Sequence, residues 1–267
     1  DERVEEIRKS KHSNENTSKV SGDDYTFLLK DTFDVPLFGA LVPIKKPKNK
    51  DDKDGNKDKN ASNKESEELS SFKVTGPVQF GIGYSVNKPE IISPMISSLF
   101  VGREEKRKYG TFGRFYSVKY ALIKVHAAIN PMNLKEYFSK DEDIKKAFDE
   151  SENHLFECLW DGTNSLVTRS KYPQRSVLYI EVTYNNYLFN DLPYLVKEKE
   201  TLTGKNVEKL DPSGFDFTDL INRLKERKAI VKQVRIVGCD ELRNQVEELT
   251  RKLKEAGIKV VEEVKAN

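Results

Sequence analysis

Residues 234–264 read VRIVGCDELRNQVEELTRKLKEAGIKVVEEV and predict a compact strand–helix–strand unit. The segments 234–237 and 258–264 are rich in β-branched residues, which favour strands. Between them, apolar residues recur at the spacing that places them on one face of a helix. These residues are Leu242, Val246, Leu249, Leu253 and Ala256. Gly257 follows directly, as is typical of the residue that ends a helix.

Upstream of this unit, predicted strands and helices are mixed without a regular alternation. Strands are predicted at 33–44, within FKVTGPVQFGIGYS at 72–85, and at 117–129 and 177–184; a short helix is predicted around 217–224. Ser139 and Glu142 form a capping-box pattern, which predicts that a long helix begins there and ends near Gly162. The overall pattern predicts an α+β fold with an antiparallel or mixed sheet, and its closing unit fits a ferredoxin-like or RNA-recognition-motif-like core.

The segment 117–129 carries the clearest alternation in the chain. Ala121, Ile123, Val125, Ala127 and Ile129 all fall on one face of the predicted strand. We therefore expect this face to be buried in the core.

Composition predicts which segments of the chain are folded and which are loosely ordered. Residues 1–32 are polar at their start and predict a loosely ordered segment, whereas 33–267 carry the folded domain. Within that domain, 45–70 are almost entirely Lys, Asp, Asn and Ser, so we expect a flexible loop.

The bulk composition excludes some classes of protein. The 267 residues contain 46 basic and 44 acidic side chains and two cysteines without metal-ligand spacing. No run of about 18 apolar residues predicts a membrane span, and no signal-like segment is visible. The sequence therefore predicts a cytoplasmic protein that does not associate with a membrane and binds no cofactor.

Basic and aromatic residues alternate from residue 100 onward, where the chain reads FVGREEKRKYGTFGRFYSVKY. Seven basic and two acidic residues lie between Arg103 and Lys124, although the net charge of the whole chain is only +2. Basic groups beside aromatic rings suit single-stranded nucleic acid, because the cations bind phosphates and the rings stack on bases. A charged surface hairpin whose aromatic residues are rooted in the core would show the same pattern.

Motifs for catalysis are lacking, since no GxSxG, HExxH or phosphate-loop sequence occurs. We therefore predict that the protein is not an enzyme. The alternative is a metal-dependent RNA-processing nuclease with a ferredoxin-like core, which would need carboxylates that converge beside the basic groove. The acidic residues instead concentrate in 141–157.

Several separate motifs resemble the Cascade backbone subunit of CRISPR systems, the seventh Cas family, and are most similar to subtype I-B. They are FDVPLFGA at 33–40, TGPVQFGIGYSVN at 75–87, GTFGRFYSVKYALI at 110–123 and LWDGTNSLVTRSK at 159–171. The resemblance implies a modified RNA-recognition-motif palm with an inserted thumb, for which 91–116 is the candidate. It also implies that the first strand of the palm sheet is missing from this chain.

The resemblance further implies a structural protein that coats the guide of a type I CRISPR interference complex and presents it to target DNA. The expected partners are crRNA, target DNA through the guide, other copies of the chain in a helical filament, and other Cascade subunits. Met95 and Phe100 are candidates for displacing a base, and Lys45, Lys46 and Gln79 for palm contacts. The full set of predicted RNA-binding residues is Lys45, Lys46, Gln79, Met95, Phe100, Arg103, Lys106, Arg107, Lys108, Phe112, Arg114, Arg169 and Lys171.

Overall fold

The computed structural model describes residues 25–44, 70–97, 112–168, 172–204 and 207–265. These residues form two compact units. The first contains the described residues up to Val78 together with Asn130–Asn153, and the second contains Gln79–Ile129 with His154 onward. Mixed helices and small sheets confirm the predicted α+β class.

The first unit is built on an antiparallel hairpin of β1 (Gly39–Ile44) and β2 (Ser70–Thr75). Two short helices, α1 (Leu28–Asp31) and α2 (Val35–Phe38), precede it, and α3 (Lys135–Lys140) follows later in the chain. Its buried core consists of Tyr25, Phe27, Leu28, Leu29, Phe72, Val74, Leu134 and Ile144. The predicted strand at 33–44 is wrong in its first half, which forms α2, because proline at the start of a helix has a compatible backbone angle.

Two glycines explain the FGA and TGP sequences of this unit. Gly39 has a φ of +79°, and a Cβ atom on Gly76 would lie 2.3 Å from the Gly39 nitrogen and 2.2 Å from the Phe38 carbonyl carbon. Real side-chain atoms do not approach backbone this closely, so only glycine allows the two chain segments to cross here.

The long helix α4 (Glu142–Ser165) starts differently from the sequence prediction. Ser139 lies inside α3 and donates to the Glu136 carbonyl, so the predicted capping box is wrong. Asp141 caps α4 instead, since its Oδ1 accepts from the Asp143 backbone N–H at 2.9 Å.

The second unit contains a three-stranded sheet in the order β11 (Leu178–Tyr184), β14 (Val231–Cys239), β15 (Val260–Lys265). β11 is antiparallel to β14, and β14 is parallel to β15. The helices α6 (Thr218–Glu226) and α7 (Arg243–Glu255) pack with the sheet in one core. The strand–helix–strand unit predicted from 234–264 is confirmed, and Gly257 has the expected positive φ.

The other face of this sheet contacts the C-terminal part of α4. Phe156 and Trp160 are buried there with Val237, and Tyr179 packs against them. The small antiparallel pair β12 (Lys197–Glu198) and β13 (Phe215–Asp216) lies in the same unit, as does the helix α5 (Glu200–Thr203). Short 3-10 helices cover Pro131–Leu134, Leu192–Tyr194, Pro212–Gly214 and Asp240–Leu242.

Eight short strands form nested pairs within the described residues of 78–129, nearly all of which belong to the second unit. They are β3 (Val78–Phe80), β4 (Tyr84–Ser85), β5 (Ile91–Ile92), β6 (Met95–Ser97), β7 (Phe112–Arg114), β8 (Ser117–Val118), β9 (Ile123–Lys124) and β10 (Ala127–Ile129). β3 pairs with β10, β4 with β9, β5 with β8, and β6 with β7. The chain therefore runs out along one side of a two-stranded ribbon and returns along the other.

Candidate nucleic-acid interface

The two-stranded ribbon of residues 79–129, called the arm below, carries the candidate interface. Its antiparallel register places Tyr84 opposite Lys124, and Ile91 opposite Val118. Backbone hydrogen bonds continue between the ladders, for example from the Lys119 N–H to the Glu90 carbonyl at 3.0 Å. The described part of the arm ends at the pair β6 and β7, whose connecting segment 98–111 lies outside the described residues.

Asn87 holds the arm together where the regular pairing between β4–β9 and β5–β8 is interrupted. Its side chain is only 3% exposed. The amide oxygen accepts from the Leu122 N–H at 2.8 Å and from the Ser85 hydroxyl at 3.0 Å, and the amide nitrogen donates to the Tyr120 carbonyl at 3.1 Å. One side chain thus provides the hydrogen bonds that two backbone groups would otherwise lack.

Sequence reasoning missed Asn87, although it ends one of the quoted motifs. The available signal was an asparagine within a β-prone run, because asparagine is depleted in strand interiors and common where side chains replace backbone partners.

The arm exposes large apolar side chains along its length. Met95 is 66% exposed and lies opposite Arg114, which is also exposed. Ile123 and Val125 are 63% and 54% exposed, so the prediction that alternate residues of 117–129 form a buried core face is wrong. The physical reason is that this segment forms three short strands in a two-stranded ribbon, rather than one strand of a covered sheet.

The structure brings together some of the predicted RNA-binding residues. Met95 and Arg114 are cross-strand neighbours, and Phe112 lies opposite Ser97 in the same ladder. Gln79 is exposed on β3, at the opposite end of the arm. The remaining predicted residues fall outside the described residues: Lys45, Lys46, Phe100, Arg103, Lys106, Arg107, Lys108, Arg169 and Lys171.

Two basic residues counted in the sequence pattern are paired with carboxylates. The Lys124 ammonium donates to Glu198 at 2.8 Å and to the Val196 carbonyl at 3.0 Å. Lys119 forms a hydrogen bond with Glu208, which raises the pKa of the lysine and lowers that of the glutamate. The positive charge of the described arm is therefore smaller than the sequence count indicates.

Among the described side chains, no group of three or more His, Cys, Asp or Glu residues is arranged to hold a metal ion. No helix within the described ranges has the length and apolar character needed to cross a membrane.

Comparison with protein families gives a match that covers most of the chain. The model described as CRISPR-associated protein Cas7 matches residues 2–216. The chain belongs to this family. The Cas7 match includes the whole arm and all four quoted motifs, and it ends between β13 and α6.

Other comparisons add less. No curated protein matches the chain significantly. A solved structure titled "CRISPR RNA-guided surveillance complex, pre-nicking" contains a chain that is similar to this one at 16% sequence identity, with a TM-score of 0.41. The alignment covers 86% of this chain but only 55% of that chain, so the present chain spans about half the length of the solved relative.

Proposed function

We propose that the chain is a structural, crRNA-binding backbone subunit of a type I CRISPR surveillance complex. The observation that carries the proposal is the Cas7 family match across residues 2–216, which contains the arm. In this proposal, the subunit coats the guide and leaves its bases available for pairing with target DNA. It acts in the cytoplasm, as the sequence predicts.

The arm is proposed as the thumb that contacts the RNA. At its described end, Met95, an apolar residue, lies opposite Arg114 in the ladder. An apolar group can pack against a base or separate two bases, while the guanidinium binds phosphate through several N–H donors. The predicted basic residues at 103–108 follow this end in the chain and would extend the phosphate contacts.

The second unit is proposed to form the palm. Its three-stranded sheet has two helices on one face, which is compatible with an RNA-recognition-motif-like core, and the C-terminal part of α4 packs on the other face. We propose Gln79, at the arm's base, and Lys45, Lys46, Arg169 and Lys171 as further contacts.

Copies of the chain are proposed to assemble head to tail along the guide. A protein that coats a linear RNA must use two different surfaces, and a contact of this kind that does not close produces an open helix. The exposed carboxylates of helix α4 include Glu142, Glu150 and Glu157, which we propose face a basic surface of the next copy. Other Cascade subunits would bind where the row of copies ends.

We propose no catalytic role for the subunit. A metal-dependent nuclease is the alternative, and labelled RNA separates the two proposals. Incubation with Mg²⁺ should leave the RNA intact, whereas cleavage that stops when a chelator is added would favour the nuclease.

RNA binding and assembly can be measured together. Purified protein should retain RNA, and light scattering should show complexes whose mass grows with RNA length. Failure to bind RNA would refute the proposed function, and a strict one-to-one complex with a long RNA would refute the head-to-tail assembly.

A further inference from the structure

The basic residues of the described arm have two different environments. Lys119 and Lys124 are paired with carboxylates of the same unit, whereas Arg114 is exposed at the described end of the arm. We infer that Lys124 and Glu198 are positioning residues, which fix the base of the arm to the core so that its distal basic residues meet the RNA. This inference rests on the proposed function, and it assigns Lys124 to the fold rather than to phosphate binding.

The environment of Lys124 leaves little room for a phosphate. Its side chain is 18% exposed and that of Glu198 is 17% exposed. The ammonium has three N–H donors, and two protein oxygens, on Glu198 and Val196, already accept from it. A charge pair shielded in this way is also screened less by salt than a pair on the open surface.

The two residues that accept hydrogen bonds from Lys124 lie in the packed part of the second unit. The Val196 side chain is buried in the main core with Leu220 and Val234. Glu198 lies in β12, where it pairs with Phe215 of β13. The acceptor atoms are therefore held in place by packing and by backbone hydrogen bonds that do not involve the arm.

Lys124 itself belongs to the β4–β9 ladder, and the β5–β8 and β6–β7 ladders that follow it are called the outer arm. Lys124 lies in β9 opposite Tyr84 of β4. A two-stranded ribbon is only marginally stable without further contacts. A bond from this ladder to the core therefore restricts the direction in which the whole outer arm projects.

Lys119 provides a second, weaker connection farther along the arm. It is hydrogen-bonded to Glu208 and lies 4.0 Å from Glu90. Its side chain is about half exposed, so solvent and salt reduce its contribution. Lys124 is the better residue for a test.

Replacement of Glu198 by Ala separates a net-charge effect from a positioning effect, because the two predict opposite changes in RNA affinity. Removal of a negative charge near an RNA-binding surface should strengthen RNA binding if only net charge matters. If Glu198 positions the arm, the same change should weaken binding of a labelled oligouridine about threefold or more, as expected for coupled contacts. Glu200→Ala is the matched control, because Glu200 is exposed two residues away, and it should not weaken binding.

Lys124→Met tests the same connection from the arm. A lost phosphate contact would reduce the salt slope of binding by about 0.7 on a single strand. We expect weaker binding with an unchanged slope, and partial recovery when Lys124→Glu and Glu198→Lys are combined. Lys88→Met, at an exposed lysine of the same arm, controls for loss of charge.

The outcomes separate the two levels of the argument. If the unmodified protein fails to bind oligouridine, the proposed function is wrong and this inference fails with it. If the protein binds but Glu198→Ala binds as tightly as Glu200→Ala or more tightly, the positioning role alone is refuted. The same conclusion follows if Lys124→Met lowers the salt slope by about one phosphate contact. Recovery in the exchanged pair would show that binding depends on the charge interaction between positions 124 and 198, and thermal unfolding of each variant checks that it is folded.

Discussion

Replacement of Asn87 by Ala should destabilise the arm more than the loss of one polar side chain usually does. The change removes three hydrogen bonds and leaves the Leu122 N–H and the Tyr120 carbonyl without their partner. Each unsatisfied group in a buried setting costs about 1–3 kcal/mol. Because a two-stranded ribbon is not fully shielded from water, we expect a total loss of about 2–4 kcal/mol.

Urea denaturation measures this loss, and hydrogen exchange locates it. Amides of the arm should exchange faster, while those of β14 in the main sheet should change less, since arms and loops open locally before a core does. Asn190→Ala, at an exposed asparagine, is the control. A loss below about 0.5 kcal/mol, which is usual for surface substitutions, would refute the role given to Asn87.

Three further predictions concern other parts of the chain. Gly76→Ala should lower the melting temperature markedly because its Cβ would clash with Gly39, and an unchanged melting temperature would contradict the crossing. Arg227 makes a bidentate pair with Asp191 and lowers the pKa of that carboxyl; the stabilisation should be present near neutrality and be lost as the pH falls below about 4, and Asp191→Asn should flatten this dependence in acid titrations followed by circular dichroism. The composition of 47–66 predicts a flexible loop, and deletion of such a loop changes little beyond closure entropy. The deletion should therefore lower the melting temperature by less than about 8 °C, and a larger fall would contradict the prediction.

The closing strand–helix–strand unit could be predicted because its signals are local. The apolar stripe of α7 and the glycine at 257 act within a few residues of each other. The same local logic correctly placed β11 and α6. Where two nearby caps competed, as at Ser139 and Asp141, the sequence pattern selected the wrong one.

The arm could be predicted only in part. Alternation in 117–129 correctly indicated β structure, but it cannot reveal whether another layer covers the apolar face. In the structure, Ile123 and Val125 are exposed.

Ion pairs between residues far apart in the sequence could not be predicted. Lys124 and Glu198 are 74 residues apart, so no local pattern relates them. The sequence count therefore treated Lys124 as available positive charge. Motif resemblance nevertheless indicated the correct family, because short sequences such as TGP and SVN preserve local geometry that only particular residues allow.

Salt-dependent binding tests most directly whether the arm presents positive charge to RNA. Lys106, Lys108 and Arg107 should be changed together to Ala, and affinity for a labelled oligouridine measured across salt concentrations. We predict weaker binding at every sequence tested and a salt slope reduced by about 2, the sum of three single-strand phosphate contacts. An unchanged affinity and slope would contradict the proposal, because the phosphate contacts predicted for residues 106–108 would then not exist.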